Sequence, residues 1–402
     1  MKIVFIGTTN AMPMSYAIKF KERGYDVKYI VDVPPVDSLS RPECHYENIS
    51  YPYPNWIKEI VISNPSIKCL YPKIFYKKIY NEVLDGDVFF LCDWYISLAP
   101  YLPKNSKIII LPHGADLDTW CNFKKADDIA AVGRLSFFKS LKKILAKLII
   151  NRMYKGLCCA DVITYYPRGF NSEGDNIIDG VRKIKDCALV TRYDVNLNVL
   201  NGFGNSYRVN PSRLKICVAV RFDFKSTQGV ENKYLKGSDL IIKGISKYYR
   251  EFSKNIEVIF FEKGKDIELA KKLCREEGID SIVKWVNAVP LRQLLEQMEN
   301  SDICFDQVGG HWMGAIGVYA MYLGKPVITN YRPEILNDFL KGTIPMCQAT
   351  TVNEIFDKLV FLSNESNREN VSQNGREFVI NNFSCDSVFN EYVKLLDLHI
   401  NN

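Results

Sequence analysis

Residues 301–330 read SDICFDQVGGHWMGAIGVYAMYLGKPVITN, and this stretch carries the clearest fold signal in the chain. The run DICFDQ predicts a buried strand, the glycines after it predict a turn, and GAIGVYAMYLG predicts a helix. The segment PVIT then predicts another strand. A strand, a helix and a strand in this order form a parallel pair with a crossover helix. We therefore expect an α/β protein built on parallel sheets.

The same alternation continues on both sides of this stretch. In the second half, further strands are predicted at 215–221 (KICVAVR), 256–264 (IEVIFFEKG) and 281–286 (SIVKWV), each followed by an amphipathic helix. In the first half, the predicted strands are KIVFIG (2–7), DVKYIVD (26–32), DVFFLC (87–92), KIIILP (107–112) and DVITYY (161–166). Continuous apolar runs of this kind are typical of strands covered on both faces.

The length of 402 residues favours two domains. The Asn- and Gly-containing segment at 190–212 suits a linker. We therefore assign 1–205 to an N-terminal domain, 206–384 to a C-terminal domain, and 385–402 to a C-terminal helix. In doubly wound folds, ligands bind at the carboxyl ends of the strands, so we expect the site in a cleft between the domains.

Composition excludes several function classes. A net charge of +6 is too mild to indicate nucleic-acid binding across the surface, and no run of 18 apolar residues occurs. The apolar run near Met1 is too short for a secretory signal. The twelve cysteines form no CxxC pair, which favours reduced cysteines in a cytoplasmic protein, and with only four histidines no metal is expected.

The first loop and two acidic pairs argue against other cofactors. The loop GTTNAMP (7–13) lacks G-x-G-x-x-G, which disfavours a dinucleotide cofactor. The D-x-D matches at 85–87 and 116–118 are interpreted as chance matches rather than metal sites.

Among the loops, the glycines of the 301–330 stretch are the best candidates for holding an anion, because their backbone N–H groups approach the start of a helix. The alternative is a turn that serves packing alone.

The 301–330 stretch resembles the GT-B-fold glycosyltransferases of family 4, and within them a subgroup of bacterial polysaccharide assembly. YAMYLGKPV (319–327) occupies the position of the family pattern E-A-M-A-x-G-x-P-V, and D-Q (306–307) with HWMG (311–314) is similar to the subgroup's stretch ahead of it. The resemblance implies two facing Rossmann-like domains, with 1–205 on the acceptor side and 206–384 binding a nucleotide-sugar donor. It implies retention of anomeric configuration. It also implies donor binding through this loop, by Gly309, Gly310, Trp312, Gly314 and Tyr319.

The family carries a pair of glutamates eight positions apart across this loop, and here those positions hold His311 and Tyr319. In the family, the first acid contacts the donor sugar and the second holds the ribose hydroxyls. A histidine can donate to a sugar hydroxyl and a tyrosine can hydrogen-bond ribose. We expect His311 in the catalytic set and Tyr319 in the nucleotide-binding set.

A second family motif is an arginine, a spacer and Lys-Gly after the first strand of the second domain. Arg221 and Lys236-Gly237 match it across a longer spacer, so Lys225 could substitute for Arg221. Fixed cations would stabilise the charge that builds on a departing nucleoside diphosphate without a metal. The alternative for Lys236 is a solvated lysine at a helix start.

The first domain offers weaker candidates. His113 follows a strand in the turn PHGAD, where it could reach a sugar hydroxyl or a phosphate, and the alternative is a buried structural histidine. Gly7 ends the first strand and would let a nucleotide or an acceptor approach closely. In the second domain, Val286 lies where family members contact the base through backbone atoms.

Residues 137–155 form a basic amphipathic pattern. Apolar residues fall on one face and lysines on another: Phe138, Leu141, Leu145 and Leu148; Lys139, Lys143 and Lys147. An anionic membrane surface would relieve the repulsion among these lysines. The alternative is an ordinary solvated helix packed on the sheet.

Together these features predict a glycosyltransferase of hexosyltransferase type, acting on a glycan or lipid-linked acceptor in surface polysaccharide biosynthesis. It would be cytoplasmic, with possible peripheral membrane contact. Two alternatives remain open. One is a nucleotide-sugar epimerase or hydrolase on the same fold. The other is a degenerate, non-catalytic partner subunit, suggested by the missing glutamate pair.

Overall fold

The computed structural model describes residues 1–37, 39–131, 139–204, 213–225, 235–310 and 313–400, with side chains to residue 396. The chain forms two compact units, Met1–Asn196 with Cys385–Asn402, and Leu197–Ser384. The boundary lies before the position inferred from sequence, because Leu200 is buried and the Arg292 guanidinium lies 5.1 Å from the Phe203 ring within the second unit.

The strands are numbered along the chain: β1 Lys2–Ile6, β2 Asp26–Val31, β3 Ile57–Glu59, β4 Val88–Leu91, β5 Lys107–Ile110, β6 Val162–Tyr165, β7 Ala188–Thr191, β8 Leu214–Val218, β9 Ile256–Glu262, β10 Val283–Asn287, β11 Ile303–Phe305, β12 Val327–Thr329 and β13 Cys347–Gln348.

The α-helices are α1 Pro13–Glu22, α2 Pro65–Lys68, α3 Pro72–Phe75, α4 Lys77–Val83, α5 Ala115–Asp118, α6 Ala126–Ala131, α7 Lys139–Leu157, α8 Ser172–Ile184, α9 Ser238–Glu251, α10 Ile267–Glu276, α11 Leu291–Glu299, α12 Ala315–Tyr322, α13 Pro333–Leu336, α14 Val352–Ser363, α15 Glu365–Ser372, α16 Gly375–Phe383 and α17 Asp386–Ile400.

The first unit is built on a seven-stranded parallel sheet in the order β3-β2-β1-β4-β5-β6-β7. Alternate residues of β1 enter two separate cores: Val4 and Ile6 pack on one face, and Ile3 and Phe5 pack on the other. Both faces of the sheet are therefore covered, as the continuous apolar runs predict.

The second unit is built on a six-stranded parallel sheet in the order β10-β9-β8-β11-β12-β13. From β8 the chain adds β9 and β10 on one side, and it then returns to add β11, β12 and β13 on the other. The strand order thus reverses between β8 and β11. Such a reversal point is where doubly wound sheets bind ligands, at the carboxyl ends of the strands.

The C-terminal helix α17 belongs to the first unit. The sequence analysis set 385–402 apart as a separate segment. Its apolar face is buried in one core of the first sheet through Val388, Phe389 and Tyr392. The Tyr392 hydroxyl lies 2.6 Å from Thr164 Oγ1 on β6, which fixes the helix against the sheet.

Some strands differ from the sequence-based expectation. β8 ends at Val218 rather than at 221, because the chain leaves the sheet there and the Phe222 N–H donates to the Lys263 carbonyl at 2.8 Å. The short strands β3, β7 and β13 were not predicted. Within the described part of the chain, no helix has the length and apolar character needed to cross a bilayer.

Candidate functional site

A cavity of about 260 Å³ lies at the carboxyl edge of the second sheet. Its walls come from the residues that follow β8, β10 and β11 and from the end of β9, so the cavity lies at the point where the strand order reverses. Its polar side chains include Arg221, Lys236, Lys263, Asp306 and Gln307. The structure therefore brings together the two cations and the turn after β11 that the sequence analysis selected.

Two loops meet through their backbones beside this cavity. The N–H groups of Val308 and Gly309 donate to the Lys236 carbonyl at 3.2 and 3.1 Å, and the Lys236 N–H donates to the Asp223 carbonyl at 2.9 Å. A Cβ on Gly309 would lie 1.9 Å from the Leu235 carbonyl oxygen. Gly237 has φ +71°, and a Cβ there would lie 2.8 Å from the Gly309 nitrogen. Both glycines are therefore required for the contact that places Lys236.

Lys236 lies in an electrostatically unfavourable position. Burial lowers the pKa of its ammonium group, and the positive charge of Arg221 lowers it further. Asp306 and Asp223 offset only part of this shift. Arg221 itself lies 3.7 Å from Asp223, measured from Nε to Oδ2, and half of its side chain is exposed. Two cations that share one cavity in this way would be stabilised by an anion between them.

The buried carboxylate of Asp306 takes the backbone donors at the start of α12. It accepts hydrogen bonds from Gln307 at 2.8 Å, from Gly317 at 3.1 Å, and from Gly314. A Cβ on Gly317 would lie 2.9 Å from its Oδ2. Burial raises the pKa of Asp306, and these N–H donors and Lys236 oppose that shift.

Three glycines of this turn have hydrogen-bond acceptors within the chain. The sequence analysis assigned the N–H groups of Gly309, Gly314 and Gly317 to an anion. In the structure the latter two donate to Asp306 and the first donates to the Lys236 carbonyl, because these acceptors are built into the chain. Gly310 is exposed. Gly314 lines the cavity, and donor binding by Gly309, Gly310 and Gly314 stays a prediction.

The remaining walls of the cavity are mostly apolar. They include Phe261, Ala288, Val289 and Leu294, and the first of these is at the end of β9. Val286, which the sequence analysis selected for base contact, lies on β10, and the lining begins two residues later at Ala288. Lys263 was missed, although its position near the carboxyl end of the predicted strand 256–264 was a signal that could have found it.

The other candidates of this unit have different outcomes. His311 and Trp312 lie outside the described residues. Tyr319, on α12, is only 7% exposed, and burial raises the pKa of its hydroxyl well above the usual value. It is not among the residues that line the cavity. Its expected role in nucleotide binding stays a prediction.

In the first unit, Gly7 ends β1 with φ +101°. A Cβ there would lie 2.5 Å from Cys92 Sγ and 2.9 Å from the Cys92 carbonyl oxygen. Glycine is therefore required for the close approach of the loops that follow β1 and β4. This close packing explains why residue 7 is a glycine, and the explanation requires no bound ligand.

His113 follows β5 and is held by two polar contacts. Its N–H donates to Asp116 Oδ1 at 2.9 Å, and Arg192 Nη1 lies 3.4 Å from its Nε2. Burial, together with the charge of Arg192, lowers the pKa of His113 to about 3. Since an arginine only donates, Nε2 must accept and Nδ1 carries the proton. Arg192 is itself buried, 3.5 Å from Asp194. Sequence reasoning missed this pair, which is far from His113 along the chain.

Four carboxylates of the D-x-D matches have partners within the protein. Asp85 pairs with Lys2 Nζ at 2.5 Å, and Asp87 accepts the Lys2 N–H at 2.6 Å. Asp116 accepts backbone donors from the turn around His113, and Asp118 accepts Asn171 Nδ2 at 2.7 Å. These contacts explain the acids as structural elements of the first unit.

We expect the ring of His113 to remain neutral between pH 5 and 8, the range in which an ordinary histidine titrates. Because its pKa is about 3 in the native state and 6.5 in the unfolded chain, the unfolded state binds the proton first as the pH falls. Native stability should therefore decrease below pH 6.5, by up to about 1.4 kcal/mol per pH unit. Ring NMR signals check this directly, because the chain has only four histidines and His113→Gln assigns the signal.

An Arg192→Met variant tests the cause of this low pKa. Removing the positive charge should move the titration of His113 to higher pH, while burial keeps it below the ordinary value. The titration of His45 in the same spectrum is the internal control. An unchanged His113 titration would show that burial alone sets the protonation state.

No protein-family model matches the sequence, and no curated protein sequence matches it. Solved structures do resemble the fold. Sucrose-phosphate synthase from Thermosynechococcus elongatus aligns with TM-score 0.64 and 11% identity over 100% of this chain and 99% of its own. Anabaena HepE in complex with UDP and glucose aligns with TM-score 0.59 and 11% identity over 98% and 99%.

A third structure, of a Listeria monocytogenes protein described as a UDP-N-acetylglucosamine 2-epimerase, aligns with TM-score 0.56 and 10% identity over 99% of this chain and 96% of its own. At such identities the likeness shows the fold alone. The seven- and six-stranded parallel sheets and the full-length alignments establish an α/β protein of the GT-B fold, as the sequence analysis expected.

Proposed function

We propose that this protein is a glycosyltransferase that moves a sugar from a nucleoside-diphosphate donor to a glycan or lipid-linked acceptor. The observation that carries the proposal is the convergence of Lys236 and Arg221 in the cavity at the reversal point of the second sheet. A nucleoside diphosphate is the anion that such a cavity suits, because two cations can face its two phosphates.

The chemistry follows from the charge that develops on the leaving group. As the glycosidic bond to the donor phosphate breaks, negative charge builds on the diphosphate, and Lys236 with Arg221 would stabilise it without a metal ion. Lys263 adds a third positive charge to the same cavity. The apolar wall around Phe261, Val289 and Leu294 would receive the nucleoside. We propose retention of configuration through front-face displacement, in which the leaving phosphate assists the acceptor.

The comparisons support this proposal through the shared fold. HepE has been solved with UDP and glucose, and sucrose-phosphate synthase is a transferase of the same fold. The epimerase-like neighbour keeps the alternative of a nucleotide-sugar epimerase or hydrolase open. His311 in place of the first family glutamate keeps the third reading, a non-catalytic partner, open as well.

A thermal-shift screen with UDP, GDP, ADP and CDP, and with their sugar conjugates, tests the proposal. A ligand at about 100 times its Kd stabilises the native state by about 2.7 kcal/mol, so at least one nucleotide should raise Tm measurably. Donor consumed only in the presence of acceptor supports a transferase, and donor consumed alone indicates an epimerase or hydrolase. If no nucleotide raises Tm, the alternative of a non-catalytic partner subunit is favoured.

We also propose a place in surface polysaccharide biosynthesis at the cytoplasmic side of a membrane, with a hexose as the transferred sugar. The predicted contact through 137–155 falls mostly on α7, since 137 and 138 lie outside the described residues. Leu141, Ile144 and Leu148 are exposed there, but Leu145 is partly buried against the core, and Lys143 pairs with Asp127 at 2.6 Å. The apolar face therefore includes Ile144 instead of Leu145, and membrane contact through α7 stays a prediction.

A further inference from the structure

A second exposed apolar surface lies on the first unit, along residues 64–80. This segment contains α2, α3 and the first turn of α4. Four large side chains point to solvent within nine residues: Ile67 is 54% exposed, Tyr71 60%, Ile74 69% and Phe75 48%. We call these four residues the apolar patch. Contiguous exposed apolar groups on a folded unit indicate a binding surface rather than ordinary surface composition.

The charge of the same segment has one sign. Residues 61–81 read VISNPSIKCLYPKIFYKKIYN, with four lysines and no acidic residue. The lysines are Lys68, Lys73, Lys77 and Lys78, and the last three are exposed. The whole chain has 52 lysines and arginines against 46 acids, so four lysines within eleven residues without an acid are a local excess of positive charge.

The patch stands on a fixed base. Cys69, Tyr76 and Ile79 have no exposed surface and belong to one core of the first sheet. The Tyr76 hydroxyl donates to the Pro65 carbonyl at 2.7 Å, which ties α4 to the start of α2. The inward side chains are therefore already used by the core. The outward ones cannot be buried without unpacking the segment, so only an external partner could cover them.

We propose that residues 64–80 dock this protein on an anionic lipid bilayer, with the apolar patch entering the interfacial layer and the lysines facing the headgroups. An aromatic and aliphatic face bordered by lysines suits that environment, because aromatic side chains partition into the interface and lysines are attracted to anionic lipids. A second copy of the chain fits less well, since its patch would bring like charges together.

The proposal does not depend on glycosyl transfer, because it uses no residue of the cavity in the second unit. It also differs from the contact predicted through α7. Both α3 and α7 pack on the 3-10 segment Asp93–Tyr101, so both surfaces belong to the first unit and can be compared directly. The exposed pair Ile144 and Leu148 on α7 matches the exposed pair Ile74 and Phe75 in size and character.

Co-sedimentation of the full chain with vesicles tests the proposal. The probes are phosphatidylcholine vesicles with and without phosphatidylglycerol. We expect binding only with phosphatidylglycerol. Ile74→Ser with Phe75→Ser should weaken it on the order of tenfold or more, because two apolar side chains no longer leave water. Lys77→Gln with Lys78→Gln should weaken it about fivefold per lysine. Ile144→Ser with Leu148→Ser separates this surface from the contact predicted through α7, and it should bind like the wild type if the apolar patch alone makes the contact.

Each opposite result counts against the proposal. Binding that is insensitive to phosphatidylglycerol, or absent, overturns it, and loss of binding only in the α7 pair moves the contact to α7. If the wild type sediments as a dimer and binds no vesicles, and the patch variants sediment as monomers, the patch is an interface with a second copy of the chain. Far-UV circular dichroism and an unchanged Tm show that the variants are folded. A nucleotide-induced thermal shift on the same samples reports separately on the proposed function.

Discussion

A Lys236→Met variant is expected to lose at least about 100-fold in sugar transfer, the scale seen when one group that stabilises transition-state charge is removed. Lys236 is the most enclosed cation of the cavity, and its carbonyl and N–H are fixed by the loops on either side. Methionine keeps the length and packing of the side chain but carries no positive charge to pair with a diphosphate. The nucleotide-induced thermal shift should disappear together with transfer.

The same variant should melt at a higher temperature than the wild type when no nucleotide is present. Burial and Arg221 lower the pKa of Lys236 in the native state, so its charged form is better solvated in the unfolded chain. In the window between that lowered pKa and the ordinary 10.5, the unfolded state binds more protons, and wild-type stability rises with pH. At neutral pH, removing the charge should therefore raise the free energy of unfolding and the Tm of the unliganded protein.

Calorimetry and donor turnover measure both effects on one preparation. Lys272→Met, an exposed lysine on α10 in the same unit, is the control and should change neither quantity. The role assigned to Lys236 is wrong if the variant keeps wild-type turnover. A lower Tm with an intact nucleotide shift would instead make Lys236 a structural lysine.

Much of the fold followed from local pattern. The buried strands β1, β4, β5 and β9 are continuous apolar runs, and such runs report burial on both faces whatever lies elsewhere in the chain. The short strands β3 and β13 carry no such run. Their strand conformation comes from pairing with β2 and β12, which is tertiary information.

The residues of the candidate site also fall into two groups, those that a local motif predicts and those that depend on tertiary contacts. Lys236 and Arg221 were found because a motif placed them after a predicted strand. The capping role of Asp306 was not found, because its carboxylate bonds to N–H groups eight and eleven positions further along the chain. Arg192 reaches His113 from 79 positions away, across three neighbouring strands. Contacts of this kind depend on which strand ends lie side by side, and a single sequence does not contain that information.

The apolar patch was missed for a different reason. α2 and α3 are only four residues long, too short to show a helical period of apolar residues. The sequence analysis therefore gave Ile67, Ile74 and Phe75 no role, and only the packing of Cys69 and Tyr76 in the core shows that these three side chains face outward.

A Gly309→Ala variant should lose nucleotide binding for a geometric reason rather than an electrostatic one. The added Cβ would lie 1.9 Å from the Leu235 carbonyl oxygen, and that atom is backbone, so no rotamer change relieves the clash. The turn must separate from the 235–237 segment, and the hydrogen bonds from Val308 and Gly309 to the Lys236 carbonyl are lost. We expect a destabilisation of about 2–4 kcal/mol, typical of a forced backbone shift with lost buried hydrogen bonds.

The direction of the stability change separates this variant from Lys236→Met. Both should abolish the nucleotide shift, but Gly309→Ala should lower the Tm of the unliganded protein whereas Lys236→Met should raise it. Gly204→Ala is the matched control in the same unit, because a Cβ there meets no atom within 4 Å. If Gly309→Ala binds nucleotide normally and melts like the wild type, the contact between the two loops does not position Lys236. The placement of its positive charge in the cavity would then not depend on that contact.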